Sequence, residues 1–326
     1  EVSLPLLSDA PFARELTLDA AVRWADYSTI GSTKSWKTNV VWAPIDDLAF
    51  RGSVSQAIRA PNITELFGPE IGQNYRPIDP CDSAQITALA GDLPGLAANY
   101  QSNCITDLQS IGVDPFDSNG NYAFADPLSA SFGGVKGGNR NLTEETADTT
   151  TYGLVYQPNF LEGLSFTLDY WEIAIEDAIS SVSSQDIVDG CYKEASLNSA
   201  FCSLFTRNSN SSSMQHGGFN FLHSTNINFA NLETSGIDLA IGYDFSIGAH
   251  NFGVSVQGTE VNEIDFYTNP ADLSEVNPEL GEILRPERAG NVYLSWGYGD
   301  INVAFQSQYL GEMLLGTIEI ETADTL

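Results

Sequence analysis

Hydrophobic and polar residues alternate with a period of two in short segments along the whole chain. In the segment 16–24 the apolar positions of this alternation are Leu16, Leu18, Ala20, Val22 and Trp24. Such alternation is the sequence signal of a β-strand with one apolar and one polar face. The same alternation occurs in 36–42, 50–59, 152–156, 164–170, 237–245, 252–256, 292–298 and 301–309. The pattern therefore predicts nine strands, with a weaker tenth around residues 2–7.

One predicted strand changes phase in its second half. After Tyr170 its apolar positions shift to Trp171, Ile173 and Ile175. Two explanations fit this shift: a β-bulge, which adds one residue to a strand, or a strand that continues beyond the edge of a membrane. The sequence is compatible with both explanations.

The connections between the predicted strands are alternately short and long. Tight turns are predicted at 44–47, 158–163, 246–249 and 299–300. Long loops are predicted at 62–148, 176–224 and 261–287, and a loop of intermediate length at 28–35. Short turns at one end of the strands and long loops at the other are typical of outer-membrane β-barrels. A compact soluble domain rarely carries a loop as long as 62–148.

Tryptophan and tyrosine residues occur near the ends of several predicted strands. They are Trp24, Tyr27, Trp36, Trp42, Tyr170, Trp171, Trp296, Tyr298 and Tyr309. This placement fits the aromatic girdles that flank the apolar band of a membrane β-barrel. The alternative is the ordinary enrichment of aromatic residues in β-sheets.

Two of the long loops contain sequences that favour helix capping. Residues 82–85 and 183–186 have the pattern of a capping box or a related N-cap. The pattern predicts a short helix after each of these positions.

The four cysteines form two local pairs, Cys81 with Cys104 and Cys191 with Cys202. Local pairs in long loops predict disulfides made in an oxidising compartment such as the periplasm. Each disulfide would stabilise its loop by about 3 kcal/mol in the chain-entropy model. Zinc binding is the competing interpretation, although the cysteine spacings differ from the usual zinc-binding pattern.

The composition narrows the set of partners. The 326 residues include 13 basic and 43 acidic residues, which give a formal net charge of −30. This negative charge argues against a nucleic-acid partner, which requires a basic surface. The sequence contains no apolar run of about 18 residues, so it predicts no transmembrane helix. A transmembrane β-strand needs only about ten residues of alternating hydrophobicity, which this chain has repeatedly.

Residue types that carry catalysis or metal binding occur without a recognisable arrangement. His216 and His223 lie in one predicted loop, but no carboxylate partner is defined near them. The glycine-rich segment 133–138 lacks the strand–helix context of a phosphate site, which favours a flexible loop. The sequence therefore predicts no enzymatic activity, no metal site and no cofactor.

The segment 51–67, RGSVSQAIRAPNITELF, resembles the signature of TonB-dependent outer-membrane receptors. The positions that carry the resemblance are Arg59, Ala60, Pro61, Glu65, Leu66 and Phe67. In that family the segment is a barrel strand that runs to the extracellular side, so the resemblance implies a structural role for these residues. The segments 138–153, 163–179, 231–245 and 285–291 also resemble the family, although Arg140 and Glu144 replace two prolines of its pattern.

The resemblance implies an all-β fold, an antiparallel up-and-down transmembrane β-barrel with long extracellular loops. Nine or ten strands cannot close a barrel of about 22 strands, the number in outer-membrane transporters. Residues 1–326 are therefore expected to be an internal part of the barrel domain of a larger receptor. The plug domain with its TonB-contacting box, and the last strands beyond the polar tail 317–326, are expected to lie outside this sequence.

By the same resemblance, the intact protein is expected in the bacterial outer membrane, in contact with its lipid. It would bind a scarce nutrient of the oligosaccharide, siderophore or cobalamin type and import it with energy from the TonB complex, which acts through the plug. The alternatives are a soluble secreted β-sandwich, either a carbohydrate-binding protein or a hydrolase, and a passive porin-like channel.

Nutrient binding is expected in the largest loop, where aromatic and arginine side chains are concentrated. The candidate residues are Tyr75, Arg76, Phe116, Tyr122, Phe124, Phe132 and Arg140. Aromatic rings stack on sugar faces or planar ligands, and arginine pairs with anions.

Overall fold

The computed structural model describes residues 1–267 and 276–314. Within these residues the strands are β1 (Val2–Ala10), β2 (Ala13–Tyr27), β3 (Gly31–Ile45), β4 (Leu48–Arg59), β5 (Ile71–Tyr75), β6 (Phe132–Gly137), β7 (Glu145–Tyr156), β8 (Leu164–Ser181), β9 (Phe205–Arg207), β10 (Phe219–Ile247), β11 (His250–Tyr267), β12 (Val276–Pro278), β13 (Arg288–Tyr298) and β14 (Ile301–Leu310). The helices are α1 (Ile63–Phe67), α2 (Ser83–Asp92), α3 (Pro94–Ser110) and α4 (Ser184–Tyr192), with one 3₁₀ helix at Ala200–Ser203. Part of the predicted loop 261–287 and all of the polar tail 317–326 lie outside the described residues.

The chain divides into two compact units. The strand unit comprises Glu1–Ala60, Thr143–Ala178 and Asn228–Leu326. The loop unit comprises Pro61–Leu142 and Ile179–Ile227, which correspond to most of the two longest predicted loops. Among the described residues, no helix is both long and apolar enough to cross a membrane.

The strand unit is one up-and-down sheet. Its main strands pair in the order β1-β2-β3-β4-β7-β8-β10-β11-β13-β14. Each therefore pairs with its neighbours along the chain, apart from the loop-unit elements and the short β12, which pairs with β11. This order confirms the nine predicted strands and the tenth at the beginning of the chain. Among the described residues the path ends at β1 and β14, and the sheet is open.

The strand registers place apolar side chains in rows on one face of the sheet. One such row consists of Leu16, Trp42, Phe50, Leu154 and Leu168, on five successive strands. On the opposite face, three residues along the strands, Asp19 accepts a hydrogen bond from Asn39, and the hydroxyls of Ser53 and Thr151 bond to each other. The period-two alternation of the sequence therefore becomes one apolar and one polar face.

Large side chains on the apolar face remain exposed. Trp24 is 73% exposed, Val54 44% and Phe305 58%. A β-sandwich buries its apolar faces between two packed sheets. The single strand path and its exposed apolar face contradict the β-sandwich alternative. An extended exposed apolar surface is typical of contact with a membrane or another protein.

Aromatic rings stack across neighbouring strands at the end of the sheet that carries the turns 46–47, 248–249 and 299–300. The Trp42 and Phe50 ring centroids are 5.4 Å apart, and those of His250 and Tyr298 are 4.5 Å apart. The indole N–H of Trp296 donates a hydrogen bond to His250 Nδ1 at 3.2 Å. The girdle interpretation of these positions stays a prediction.

The phase change predicted after Tyr170 is not caused by a β-bulge. β8 pairs with β7 in continuous register from Phe166 to Glu176, so the bulge explanation is wrong. Trp171 lies instead over a glycine, since a Cβ at Gly236 would come within 2.5 Å of the Trp171 ring. The glycine leaves the space that this indole occupies.

The connection predicted as an intermediate loop at 28–35 is a tight turn. β2 continues to Tyr27 and β3 begins at Gly31, which leaves three residues between the strands. Gly31 has φ of +82°, a conformation that glycine adopts without steric cost. The prediction of a longer loop is therefore wrong.

Candidate functional site

The loop unit contains a small sheet in which β6 pairs with two strands. β5 is the antiparallel partner of β6, and the first part of β10 is its parallel partner. β6 is the glycine-rich segment, so the prediction of a flexible loop there is wrong. A Cβ at Gly134 would lie 2.1 Å from the carbonyl oxygen of Leu222 and 2.8 Å from the ring of Tyr75. Glycine is required because the neighbouring strand and ring approach the backbone so closely.

The helices predicted from capping sequences are α2 and α4. In α4, Ser183 and Asp186 form a complete capping box, whereas at α2 the Asp82 side chain accepts a hydrogen bond from the N–H of Ala84. A further helix of this unit, α3, was not predicted and begins at Pro94. Proline at the first helical position is a typical start signal, because its missing N–H has no helical partner there.

Both predicted disulfides are present. Cys81 is bonded to Cys104 with the Cα atoms 5.4 Å apart, and Cys191 to Cys202 with the Cα atoms 4.8 Å apart. The zinc alternative is therefore wrong for these four residues. The first disulfide is fully buried and ties the segment before α2 to α3, whereas the second ties α4 to the 3₁₀ helix.

Arg207, at the end of β9, is a buried centre of the loop unit. Its guanidinium donates two hydrogen bonds to the carboxylate of Asp79, at 2.6 and 2.8 Å, and one to Asp107 at 2.9 Å. The side chains of Arg207 and Asp79 are only 2% and 0% exposed. A charge can be buried in this way only when it is paired and hydrogen-bonded.

Aromatic rings complete the environment of this guanidinium. Arg207 Nε donates to the hydroxyl oxygen of Tyr192 at 2.9 Å, and the Phe219 ring centroid lies 4.1 Å from the guanidinium carbon. Burial raises the pKa of the Tyr192 hydroxyl well above its ordinary value. Burial opposes the charge of Arg207, but the Asp79 carboxylate outweighs it and the pKa of Arg207 is raised. The cluster of Arg207, Asp79, Asp107 and Tyr192, called the Arg207 cluster below, therefore holds its arginine ionised.

Several candidate nutrient-binding residues take part in the internal packing of the loop unit. The Tyr75 hydroxyl donates to the carbonyl oxygen of Val135 at 3.1 Å, and the Tyr122 hydroxyl to that of Cys81 at 2.6 Å. Burial raises the pKa of Tyr122 above its ordinary value. Phe116 packs edge-on against Tyr122, with ring centroids 6.3 Å apart.

The other candidates differ in exposure. Phe124 and Phe132 are buried, and Arg76 pairs with Asp126 at 2.9 Å. Arg140 is exposed, and its guanidinium carbon lies 5.4 Å from the centroid of the Phe67 ring. Nutrient binding by the whole set stays a prediction.

The family-signature residues end β4 and form α1. Arg59 pairs with Glu145 on the neighbouring strand β7, with Nη2 and Oε1 2.6 Å apart. Pro61 has no N–H to continue the strand ladder. In α1, Glu65 takes part in a capping box and Leu66 is buried. These contacts are structural in kind, as the resemblance implies.

A cavity of about 430 Å³ lies in the loop unit beside the Arg207 cluster. Its walls are formed by Arg76, Pro77, Ile78, Asp79, Asp82, Gln85, Asp126 and Leu128. The wall contains three carboxylates, and its one guanidinium is already bound to a carboxylate. The cavity therefore suits neutral or cationic groups better than anions.

The two candidate histidines of this unit have different surroundings. His216 Nε2 lies 3.1 Å from the carbonyl oxygen of Ile111. His223 lies on β10 and pairs with Val135 of β6. In the part of the chain that the structure describes, no three His, Cys, Asp or Glu side chains are grouped to hold a metal ion.

Asp189 on α4 makes the stability of the loop unit depend on pH. Burial raises its pKa from 3.8 to about 6, although Gln185 donates a hydrogen bond to it at 3.0 Å. The folded unit thus holds this proton more tightly than the unfolded chain. The free energy of unfolding must therefore fall as pH rises through this interval, by up to about 3 kcal/mol. We expect Asp189→Asn to remove this fall and to stabilise the unit at neutral pH.

Hydrogen exchange of the α4 amides measures how far the free energy of unfolding falls with pH. The exchange rates are compared at about pH 5 and about pH 7.5, after correction for the intrinsic rates. Asp114→Asn is a matched control, since Asp114 is an exposed carboxylate of the same unit. Equal pH dependence in the wild type and in Asp189→Asn would contradict the prediction.

The chain is similar to known proteins in both sequence and fold. Residues 6–319 match the family model described as TonB dependent receptor-like, beta-barrel. The siderophore receptor PirA from Acinetobacter baumannii aligns over 92% of this chain and 32% of its own, with 15% identity and a TM-score of 0.50. A mutant of the ferric enterobactin receptor PfeA from Pseudomonas aeruginosa, solved in complex with enterobactin, aligns over 91% of this chain and 30% of its own, with 13% identity and a TM-score of 0.51.

These identities are low, so the two solved receptors establish a shared fold only. The chain spans about a third of the length of each receptor. The family model, in contrast, matches nearly the whole sequence, including all or part of every strand of the up-and-down sheet. The chain therefore belongs to the TonB-dependent receptor family and is part of its β-barrel domain.

Proposed function

We propose that this chain is the part of an outer-membrane receptor whose loop unit captures a nutrient for import. The observation that carries the proposal is the compact loop unit itself, with two disulfides, the buried Arg207 cluster and a cavity of about 430 Å³. Long loops without such contacts would have many conformations, and ordering them would cost binding energy. A preformed unit avoids most of this cost.

Charge supports one class of nutrient over the others. The loop unit has twelve acidic and five basic residues. Two of the five basic residues are already paired with carboxylates, since Arg207 is buried in its cluster and Arg76 is bound to Asp126. An anionic metal chelate would meet an excess of negative charge. We therefore favour a neutral oligosaccharide over an anionic siderophore complex.

The apolar face of the strand unit supports a location in the outer membrane, in contact with lipid. Large side chains on this face are exposed on strands from β2 to β14, among them Trp24, Leu168, Ile237 and Phe305, as a lipid-facing surface requires. By membership of the family, import would use energy from the TonB complex, acting through the plug region of the intact receptor.

The test is uptake of a radiolabelled maltooligosaccharide by cells that carry the intact receptor, with and without TonB. We expect uptake in the first case and none in the second. Uptake that persists without TonB would favour the passive channel and overturn the import proposal. Preferential uptake of a ferric siderophore would overturn the choice of nutrient.

A further inference from the structure

A chain of hydrogen bonds crosses the junction between the two segments of the loop unit, Pro61–Leu142 and Ile179–Ile227. The Gln185 side chain on α4 accepts a hydrogen bond from the N–H of Ile78 at 2.8 Å and donates one to the carbonyl oxygen of Ile78 at 3.1 Å. The same amide group donates to the carboxylate of Asp189, one turn further along α4, at 3.0 Å. One side chain of the second segment therefore links a carboxylate to a backbone position in the first segment.

The backbone position that Gln185 holds is part of the cavity beside the Arg207 cluster. Ile78 lies in the cavity wall between Pro77 and Asp79. Asp79 is also held from the second segment, by the guanidinium of Arg207. Two neighbouring wall residues are thus fixed by side chains of the second segment, and loss of either contact would release this part of the wall.

Asp189 is the member of this hydrogen-bond chain that can change its charge, because the other groups are neutral amides. Burial opposes its ionisation most strongly and raises its pKa to about 6. The carboxylates of Asp186 on α4 and of Asp79 in the first segment also oppose it, whereas Lys193 at the end of α4 favours it. Asp189 therefore changes from mostly protonated to mostly ionised between about pH 5 and about pH 7.

We propose that Gln185 and Asp189 form a proton-dependent clasp on the cavity wall, which holds Ile78 when Asp189 is protonated and releases it when Asp189 is ionised. A protonated Asp189 is a neutral acceptor, so Gln185 can bond to it and to Ile78 together. An ionised carboxylate is a stronger acceptor and gains by moving toward water, and it draws Gln185 away from the Ile78 backbone. The clasp would regulate the cavity beside the Arg207 cluster, and this role rests on the proposed function of the loop unit.

The direction of the pH effect follows from the affinity for the proton. The clasped state holds the Asp189 proton more tightly than the open chain does, so a rise in pH through about 6 favours release. The difference between 3.8 and about 6 in pKa corresponds to a change of up to about a hundredfold in the opening equilibrium.

The amide proton of Ile78 reports on the clasp directly, because its acceptor is the Gln185 side chain. Hydrogen exchange of this amide is measured in the purified receptor in detergent at about pH 5 and about pH 7.5, and is corrected for the intrinsic rates. We expect protection of this amide to fall by between about tenfold and about a hundredfold at the higher pH. In Asp189→Asn the protection should stay high at both pH values.

Gln185→Met separates the clasp from the general stability of the loop unit. Methionine has a similar length but cannot bond to the Ile78 backbone as the amide does, so the Ile78 amide should be poorly protected at both pH values. Asp189 remains in this variant, so the α4 amides should keep their protection and its pH dependence. Gln109→Met, at an exposed position on α3, is the matched control and should leave Ile78 as in the wild type.

Two results would overturn the inference. One is equal protection of the Ile78 amide at both pH values in the wild type, and the other is a wild-type pH dependence of this amide in Gln185→Met. The exchange is measured without any sugar, so it is independent of the uptake test: the clasp can respond to pH in a receptor that imports no oligosaccharide, and import can occur in a receptor whose Ile78 amide does not respond.

Discussion

Replacing Arg207 with methionine should destabilise the loop unit by about 3–5 kcal/mol, the cost of leaving one partner of a buried ion pair without the other. Asp79 has no exposed surface, and its carboxylate receives two hydrogen bonds from this guanidinium. Without Arg207 the carboxylate must stay buried and unpaired, take up a proton, or open the unit to water. Hydrogen exchange of the α3 and α4 amides, converted to free energies of opening, measures the loss.

Two further variants make this experiment specific. Arg207→Met combined with Asp79→Asn removes both charges, so we expect it to regain part of the stability. Arg140→Met removes an exposed guanidinium of the same unit and should change the free energy of opening by less than about 1 kcal/mol. If Arg207→Met and Arg140→Met change the free energy of opening equally, the buried ion pair of Arg207 does not stabilise the loop unit.

An arginine at Val254 should destabilise the strand unit in lipid by about 2–4 kcal/mol, as cations do on the lipid face of a barrel near the membrane midplane. Val254 lies on the apolar face as the fifth residue of β11, near the middle of the roughly ten residues that a membrane strand needs, opposite Tyr243 on one side and Leu294 on the other. The guanidinium would have to enter hydrocarbon or distort the strand to avoid it. Urea titration of the intact receptor in phospholipid vesicles gives the free energy of unfolding.

The neighbouring residue provides the control for this substitution. Ser255 lies on the polar face of the same strand, opposite Gly242 and Tyr293. Ser255→Arg should therefore cost less than about 1 kcal/mol. If the two arginine variants are equally stable in vesicles, the apolar face does not contact lipid.

The strands could be predicted because the period-two pattern is a local property of the sequence. The ends of the strands were harder to place. β2 ends only at Tyr27, and β3 already begins at Gly31. Around this turn, polar residues such as Asp26, Ser32 and Thr33 occupy both faces of the sheet. Once both faces are polar, hydrophobicity no longer alternates and the strand resembles a loop.

The Arg207 cluster could not be predicted from local sequence. Arg207 is followed by Asn208 in an otherwise ordinary polar stretch, and its partners Asp79 and Asp107 lie 128 and 100 residues away. The aromatic residues of the largest loop were visible in the sequence, but their role could not be predicted from it. Tyr75 and Phe124 are as suited to a core as to a ligand surface, and only the fold separates these roles.

Each of the two disulfides closes a loop inside one chain segment of the loop unit, across 23 and 11 residues. The contacts that join the segments, such as that of Arg207 with Asp79, are non-covalent. During biogenesis the cysteines can therefore oxidise with near neighbours before the segments meet. In the mature protein the segments can separate and rejoin with both disulfides intact, so this unit can open and close without any reductant.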